Sequence, residues 1–148
     1  MNLLLDTNIV IDFLGKQLPF FEDAEKVIAA GYFGDATLWV STQSLKDAYY
    51  VLAHYIRSDR VQRSMSKLLE VVTPVDLTGG DVTAALGLMW GDFEDCLIAM
   101  SAAKAKADYL VTRDEKGFDR SMVPVVTPAE WLSIMHESHS LSYSSIDF

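Results

Sequence analysis

Four aspartates stand where the chain's pattern changes element. Asp6 closes "NLLLD", Asp47 lies one turn into "TQSLKDAYY", Asp95 heads "CLIAMSA", and Asp114 follows "YLVTR". Two unit charges about 4 Å apart repel by roughly 4 kcal/mol at an effective dielectric of 20. Four carboxylates gathered in one place must therefore take up protons, sodium or a divalent cation. Oxygen ligands without nearby His or Cys suit a hard ion, Mg²⁺ or Mn²⁺, and disfavour zinc. Such an ion takes substrate phosphate oxygens in its remaining positions, which is the chemistry of phosphodiester hydrolysis, with either one or two ions.

Asp95 is the acid least explained by ordinary helix grammar. Asp92 with acids after it is a normal helix start, because a carboxylate there caps free N–H groups and complements the helix dipole. Asp95 instead heads the apolar stripe formed by Ile98, Ala99, Ala102 and Ala103. A carboxylate on a buried edge is costly unless something pairs with it. Glu94 beside it reads as solvent-facing.

The elements that must position these acids follow from hydrophobic periodicity. "MNLLLDTN" is a buried strand stopping at Asp6, followed by a helix ending at Gly15, and "FFEDAEKVIAAG" is a helix with a glycine stop at Gly31. "TLWVS" is a short strand, and the helix after it has Ala48, Val51, Leu52 and Tyr55 as its inner stripe. Ser58 and Asp59 open another helix leading to a strand around "VTPVDL", and Thr78 with its glycines leads into "DVTAALGLMW". The helix headed by Asp92, the strand "YLVT", a strand "VPVVT" and a helix with Pro128 in its first turn complete the set. Short apolar strands alternating with helices predict an α/β fold with a mostly parallel sheet covered on both faces. The Ser-rich end, residues 136–148, reads as a flexible tail beyond a single domain spanning 1–135. In open α/β sheets ligands sit beyond the carboxyl ends of the strands, the edge on which Asp6 and Asp114 fall.

Composition narrows the partners. Twenty-one acids against twelve Lys and Arg give a net charge of −9, which argues against nonspecific polyanion binding unless bound cations make the acid cluster itself a phosphate site. Local basic residues would then set affinity; Arg113, Lys116 and Arg120 flank Asp114. The single cysteine, Cys96, excludes an internal disulfide and reads as a small buried side chain. No apolar run reaches a membrane span, and the first residues acquire an acid too soon for a signal peptide, so a cytoplasmic protein is expected. His54 shares the helical face of Asp47, within reach of a substrate, but reads as a hydrogen-bonded core histidine; Trp39, Trp90, Tyr49 and Tyr50 are of the type that stacks on bases, but at these spacings read as core packing.

Taken together, "LLLDTNIVIDFL", the acid after "WVSTQSL", "DFEDCLIAMSA" and "DYLVTRDEKGF" resemble the PIN domain, in particular the toxin-type nucleases of VapC-like systems, over residues 2 to about 132. The resemblance implies a three-layer α/β/α sandwich and a Mg²⁺- or Mn²⁺-dependent endoribonuclease. It makes Asp6, Asp47, Asp95 and Asp114 the metal-binding catalytic acids, with Asn8 and Thr112 as supporting polar residues and Asp92 as an additional acid found in one branch. At Asp47 the chain departs from the commonest pattern, which has Glu; an aspartate is one methylene shorter and would reach a metal through water. The family also implies an RNA substrate, a small antitoxin encoded alongside, and a homodimer. Two competing readings are a PIN-fold RNA-binding or interaction module that cuts nothing, and a phosphoryl-accepting receiver. The receiver needs an acid pair at its first strand, where "LLLDTN" offers one.

Overall fold

A computed structural model describes residues 1–148. Five strands, β1 (Asn2–Leu5), β2 (Thr37–Ser41), β3 (Val72–Val75), β4 (Tyr109–Val111) and β5 (Val125–Val126), form one parallel sheet in the order β3-β2-β1-β4-β5. Around them lie α1 (Thr7–Leu14), α2 (Phe21–Tyr32), α3 (Thr42–Leu52), α4 (Ser58–Leu68), α5 (Gly79–Leu88), α6 (Phe93–Lys104) and α7 (Pro128–His139), with a 3₁₀ turn at Glu115–Phe118.

Period-two alternation divides the strands between two cores. Leu3, Leu5, Leu38, Val40, Val72 and Val111 point to one face, where they meet Ile9 and Phe13 of α1, Val27 and Ile28 of α2, Ala48 of α3, Leu68 of α4 and Trp131 of α7. Leu4 and Leu110 point to the other, against Ile98, Ala99 and Ala102 of α6 and Phe118. Burial on both faces explains why the strands read as unbroken apolar runs. Helices on each face of one parallel sheet are the expected three-layer α/β/α sandwich.

The strand order places the site. From β1 the chain steps outward to β2 and β3, then returns to the other side of β1 for β4 and β5. β1 and β4 are therefore neighbours, with Leu5 opposite Val111, at the point where the winding reverses. A crevice opens at the carboxyl ends of strands there, and Asp6 and Thr112 are the next residue on each. Pro74 sits in edge strand β3, where a missing N–H is tolerated.

Several elements differ from the sequence-based expectation. Helix α2 runs through Gly31 to Tyr32. Gly31 does not stop it; a Cβ there would collide with Leu38 of β2, so the glycine lets helix and sheet approach closely. In α3 the helix ends at Leu52, and Ser44, Ala48 and Leu52 are its buried residues, whereas Val51 and Tyr55 are exposed. Ala103 of α6 is likewise exposed. The 136–148 segment, read as a flexible tail, is helical to His139 and then lies along the domain: Leu141, Tyr143 and Ile146 pack on the larger core. The Tyr143 hydroxyl donates to Asp35 (3.0 Å), and Phe148 meets Phe13 edge-on with ring centroids 4.8 Å apart. No helix is long and apolar enough to cross a membrane.

Candidate active site

On the β1–β4 side the site is a closed hydrogen-bond network. Asp6 leaves β1 extended and caps α1, its Oδ1 accepting from the Thr7 N–H at 2.7 Å. Its Oδ2 accepts from the Thr112 hydroxyl at 2.7 Å. That same hydroxyl oxygen accepts from Asn8 Nδ2 (3.3 Å) and from the Asp114 N–H (3.0 Å). Asn8 Oδ1 in turn accepts from the Arg113 N–H at 3.4 Å. Thr112 is thus a buried hub joining the first strand end to the fourth, with Asn8 bonded to it from α1. Burial raises the Asp6 pKa against the two hydrogen bonds that lower it, and the Asp114 charge adds to the rise.

Arg113 carries this network further into the fold. Its guanidinium donates through Nε (2.5 Å) and Nη2 (3.3 Å) to Asp12, a carboxylate only 1% exposed in the middle of α1. The guanidinium carbon also lies 4.1 Å from the centroid of the Phe20 ring. A bidentate pair stacked on an aromatic face is a committed use of an arginine. Arg113 therefore clamps the loop bearing Asp114 onto α1, which competes with the expected RNA contact. Lys116 is exposed on the 3₁₀ turn.

On the α3–α6 side the acids have fewer partners. Ser41 caps α3, Ser44 accepts from the Thr7 hydroxyl (2.7 Å), and Asp47 follows within a turn, half-buried, with Lys46 Nζ 3.7 Å from its Oδ1. Asp92 caps α6 by accepting from the Asp95 N–H at 3.1 Å. Asp95 has no cation or side-chain donor against it. Its pKa is pushed up to about 6, first by burial, then by the charges of Asp92, Asp6, Asp114 and Glu94. A carboxylate that feels Asp6 and Asp114 as repelling neighbours shares one site with both. Gly117 on the 3₁₀ turn completes this packing: a Cβ there would collide with Asp95 Oδ2 and lie 3.8 Å from Asp114 Oδ2.

Asp6, Asp47 and Asp95 line one open cleft of about 820 Å³, together with Thr7, Asn8, Gln43 and Lys46. Asp114 borders it through its charge coupling to Asp6 and Asp95. As the side chains stand, no three acidic, His or Cys residues close into a coordination shell. The donor set is all oxygen, and its unneutralised charge raises the Asp95 pKa. Both features fit a hard divalent cation.

Two residues of this constellation escape sequence reasoning. Asp12 carries a signal, a lone acid between Ile11 and Phe13 in an otherwise apolar helix, which requires a buried partner. Gly117 carries little beyond its place three residues after Asp114. Of the remaining candidates, Cys96 is buried as expected. His54 donates from Nδ1 to the Tyr50 carbonyl oxygen (2.6 Å) but is exposed rather than core. Trp39 and Trp90 pack against the smaller core, with Arg120 5.6 Å above the Trp90 ring. Tyr50 is 67% exposed.

The PIN domain sequence pattern matches residues 2–116, ending just past Asp114 and Lys116, and the chain belongs to that family. Among solved structures it is similar to VapBC2 from Rickettsia felis bound to a DNA fragment from its promoter, with 22% identity, TM-score 0.63, and 86% of this chain and 98% of that one covered. It is similar also to VapBC-1 from nontypeable Haemophilus influenzae, with 21% identity, TM-score 0.64, and 87% and 99% covered. A toxin-antitoxin complex from Klebsiella pneumoniae aligns with TM-score 0.62 at 22% identity, with 84% and 96% covered. At these identities the likeness establishes the shared fold. No curated protein matches the chain by sequence.

Proposed function

We propose that this chain is a divalent-metal-dependent endoribonuclease acting as the toxin of a toxin–antitoxin pair. The observation that carries the reading is Asp95: an acid without a counter-cation, repelled by Asp6 and Asp114, in a cleft at the sheet's switch point. Family membership and the toxin–antitoxin complexes of the same fold support it. In this reading Asp6, Asp95, Asp114 and Asp47 would hold Mg²⁺ or Mn²⁺, with Asp92 at the rim. The ion, when bound, lowers the pKa of an attacking water and neutralises charge on the phosphodiester.

The chain's own residues supply position. Thr112 fixes Asp6 Oδ2 and the Asp114 backbone in one hub, so two ligands from different strands keep a set separation. Asp95 stays ionised above about pH 6, and its cost in the free protein becomes favourable energy once a cation arrives. A small antitoxin that blocks the cleft, a homodimer and a cytoplasmic location belong to the same reading.

Cleavage of a mixed structured-RNA pool by the wild type and by Asp95→Asn, each in Mg²⁺, Mn²⁺ and EDTA, tests it. Cuts that need metal and vanish in the variant are expected; cuts that survive EDTA would overturn the metal mechanism. The open arrangement of the carboxylates and the short Asp47 favour one second reading, a PIN-fold module that binds RNA without cutting. RNA binding with no cleavage in either metal would select it.

A further inference from the structure

The cleft's walls carry aromatic rings that the fold leaves unpacked. Tyr50 and Val51 lie three and four residues after Asp47, on the same face of α3, and both line the cleft. Tyr50 is 67% exposed and Phe93, at the start of α6, is 39% exposed. These two rings belong to opposite layers of the sandwich, since α3 packs on one face of the sheet and α6 on the other. The acids of Asp6, Asp47 and Asp95 lie in the cleft they share. Tyr50 is also held: the His54 ring meets it edge-on at 4.9 Å between centroids, and His54 Nδ1 bonds the Tyr50 carbonyl oxygen.

Charge makes these rings necessary for a polyanionic substrate. The protein carries −9 overall, Lys46 is the cleft's single basic lining residue, and Arg113 is engaged by Asp12. Phosphate contacts, which usually supply sequence-independent affinity, are correspondingly few. Beyond the one phosphate that a cation on the acids would take, base–aromatic stacking is the remaining attraction, open only to bases whose π-faces are free of a duplex.

We propose that Tyr50 and Phe93 are the substrate-selecting residues of this site, stacking unpaired bases on either side of the phosphodiester that the acids hold. Duplex is refused because its bases cannot reach either ring. The proposal rests on the nuclease reading for its phosphodiester but not for its stacking, so binding and cleavage are measured separately.

Binding is read by fluorescence anisotropy of a labelled ten-nucleotide single-stranded RNA, free or annealed, to the Asp95→Asn protein with and without Tyr50→Ala or Phe93→Ala. Each alanine should weaken single-strand binding roughly tenfold, while Tyr50→Phe and Phe93→Tyr retain it. The log-log dependence of affinity on NaCl should be no steeper than about −1.5, the slope of two phosphate contacts on a single strand. With Asp95 intact, the same alanines should raise KM far more than they lower kcat. Both rings are exposed, and near-native melting temperatures would show that the variants remain folded. Unchanged binding and KM in both alanine variants, with cleavage intact, would overturn the inference alone and assign the rings to a protein partner. Ring-dependent strand binding without cleavage would keep the inference and overturn the nuclease reading.

Discussion

The two sides of the cleft solve the problem of gathered acids in opposite ways. On the β1–β4 side, Asp6 is 7% exposed and accepts two hydrogen bonds, and Asp12 is buried against a bidentate arginine. Those carboxylates have partners within the fold, although burial still raises the pKa of both. On the α3–α6 side, Asp95 has only repelling carboxylates for company, and the donor nearest Asp47 is its own exposed neighbour, Lys46. The difference teaches where function resides in the energy of the free protein. One half is a frame held together by its own hydrogen bonds and ion pair; the other is strained, leaving Asp95 among like charges, the repulsion that the proposed cation would relieve.

The largest expected effect breaks the strained half. Asp95→Asn should lower RNA cleavage by more than roughly a hundredfold, beyond what a supporting residue costs. Its melting temperature at pH 7 should nevertheless equal or exceed that of the wild type, because the amide carries no charge to repel Asp6 and Asp114. A variant both inactive and clearly less stable would mean that Asp95 belongs to the frame. On the other side, Arg113→Met strands Asp12 as a buried unpaired charge, which costs about 3 kcal/mol. In a chain of this size that lowers the melting temperature by on the order of 10 °C. Burial already raises the Asp12 pKa and Arg113 holds it down, so calorimetry should show the loss shrinking as the pH is lowered and Asp12 takes a proton, and Asp12→Asn should recover part of it.

Thr112→Val tests whether the frame also serves the reaction. The hub's hydroxyl disappears, leaving Asp6 Oδ2 and the Asp114 N–H without it. Cleavage should fall by roughly 10- to 100-fold, with kcat affected more than KM, since the residue positions ligands rather than substrate. A change confined to KM would remove Thr112 from that role.

Much of the strained half was legible in the sequence and less of the frame, for a physical reason. Asp92 and Asp95 announce themselves locally, through capping grammar and through a carboxylate at the head of an apolar stripe. Asp6 and Asp114 follow from strand ends, and the parallel sandwich from alternating strands and helices. Asp12 and Arg113 are 101 residues apart, and their meeting depends on β4 lying beside β1, a sheet order that periodicity does not encode. Arg113 adjoins Asp114 in sequence and could hold phosphate or be plain surface charge, yet adjacent residues on an extended chain face opposite ways, and its guanidinium goes to Asp12. The spacing of Tyr50 fits core packing as well as base stacking, and also sets it on the face of α3 that bears Asp47. How far α3 projects beyond the sheet, which decides its exposure, is a tertiary fact. The Gly31 reading erred similarly, because a glycine required by a neighbouring strand looks the same as a helix stop.

The raised Asp95 pKa makes stability depend on pH with a definite sign. Its folded value is about 6 against an ordinary 3.8, so the folded protein holds a proton that the unfolded chain releases between those limits. This contribution is fully present below about pH 3.8 and is lost as pH rises to about 6 and beyond. Saturating Mg²⁺ should therefore raise the melting temperature more at pH 7.5 than at pH 5, and Asp95→Asn should abolish most of that difference. An equal shift at both pH values would detach the cation from Asp95.

The smallest effect separates charge from capping at the rim. Asp92 both caps α6 and, after burial, is the largest cause of the raised Asp95 pKa. Asn caps a helix about as well as Asp, whereas Ala loses about 1 kcal/mol. Asp92→Asn should keep the helix and relieve part of the repulsion, lowering the pH at which the Mg²⁺-induced stabilisation appears. It should raise the metal-free melting temperature slightly at pH 7 and not at all near pH 4, where Asp95 is protonated and carries no charge to be repelled. Asp92→Ala should lower it at both. Burial would still hold Asp95 above the ordinary carboxylate range, so the shift must be partial. If Asp92→Asn matched Asp95→Asn in cleavage, Asp92 would be a ligand in its own right, and the strained half of the site would begin one turn earlier in the chain.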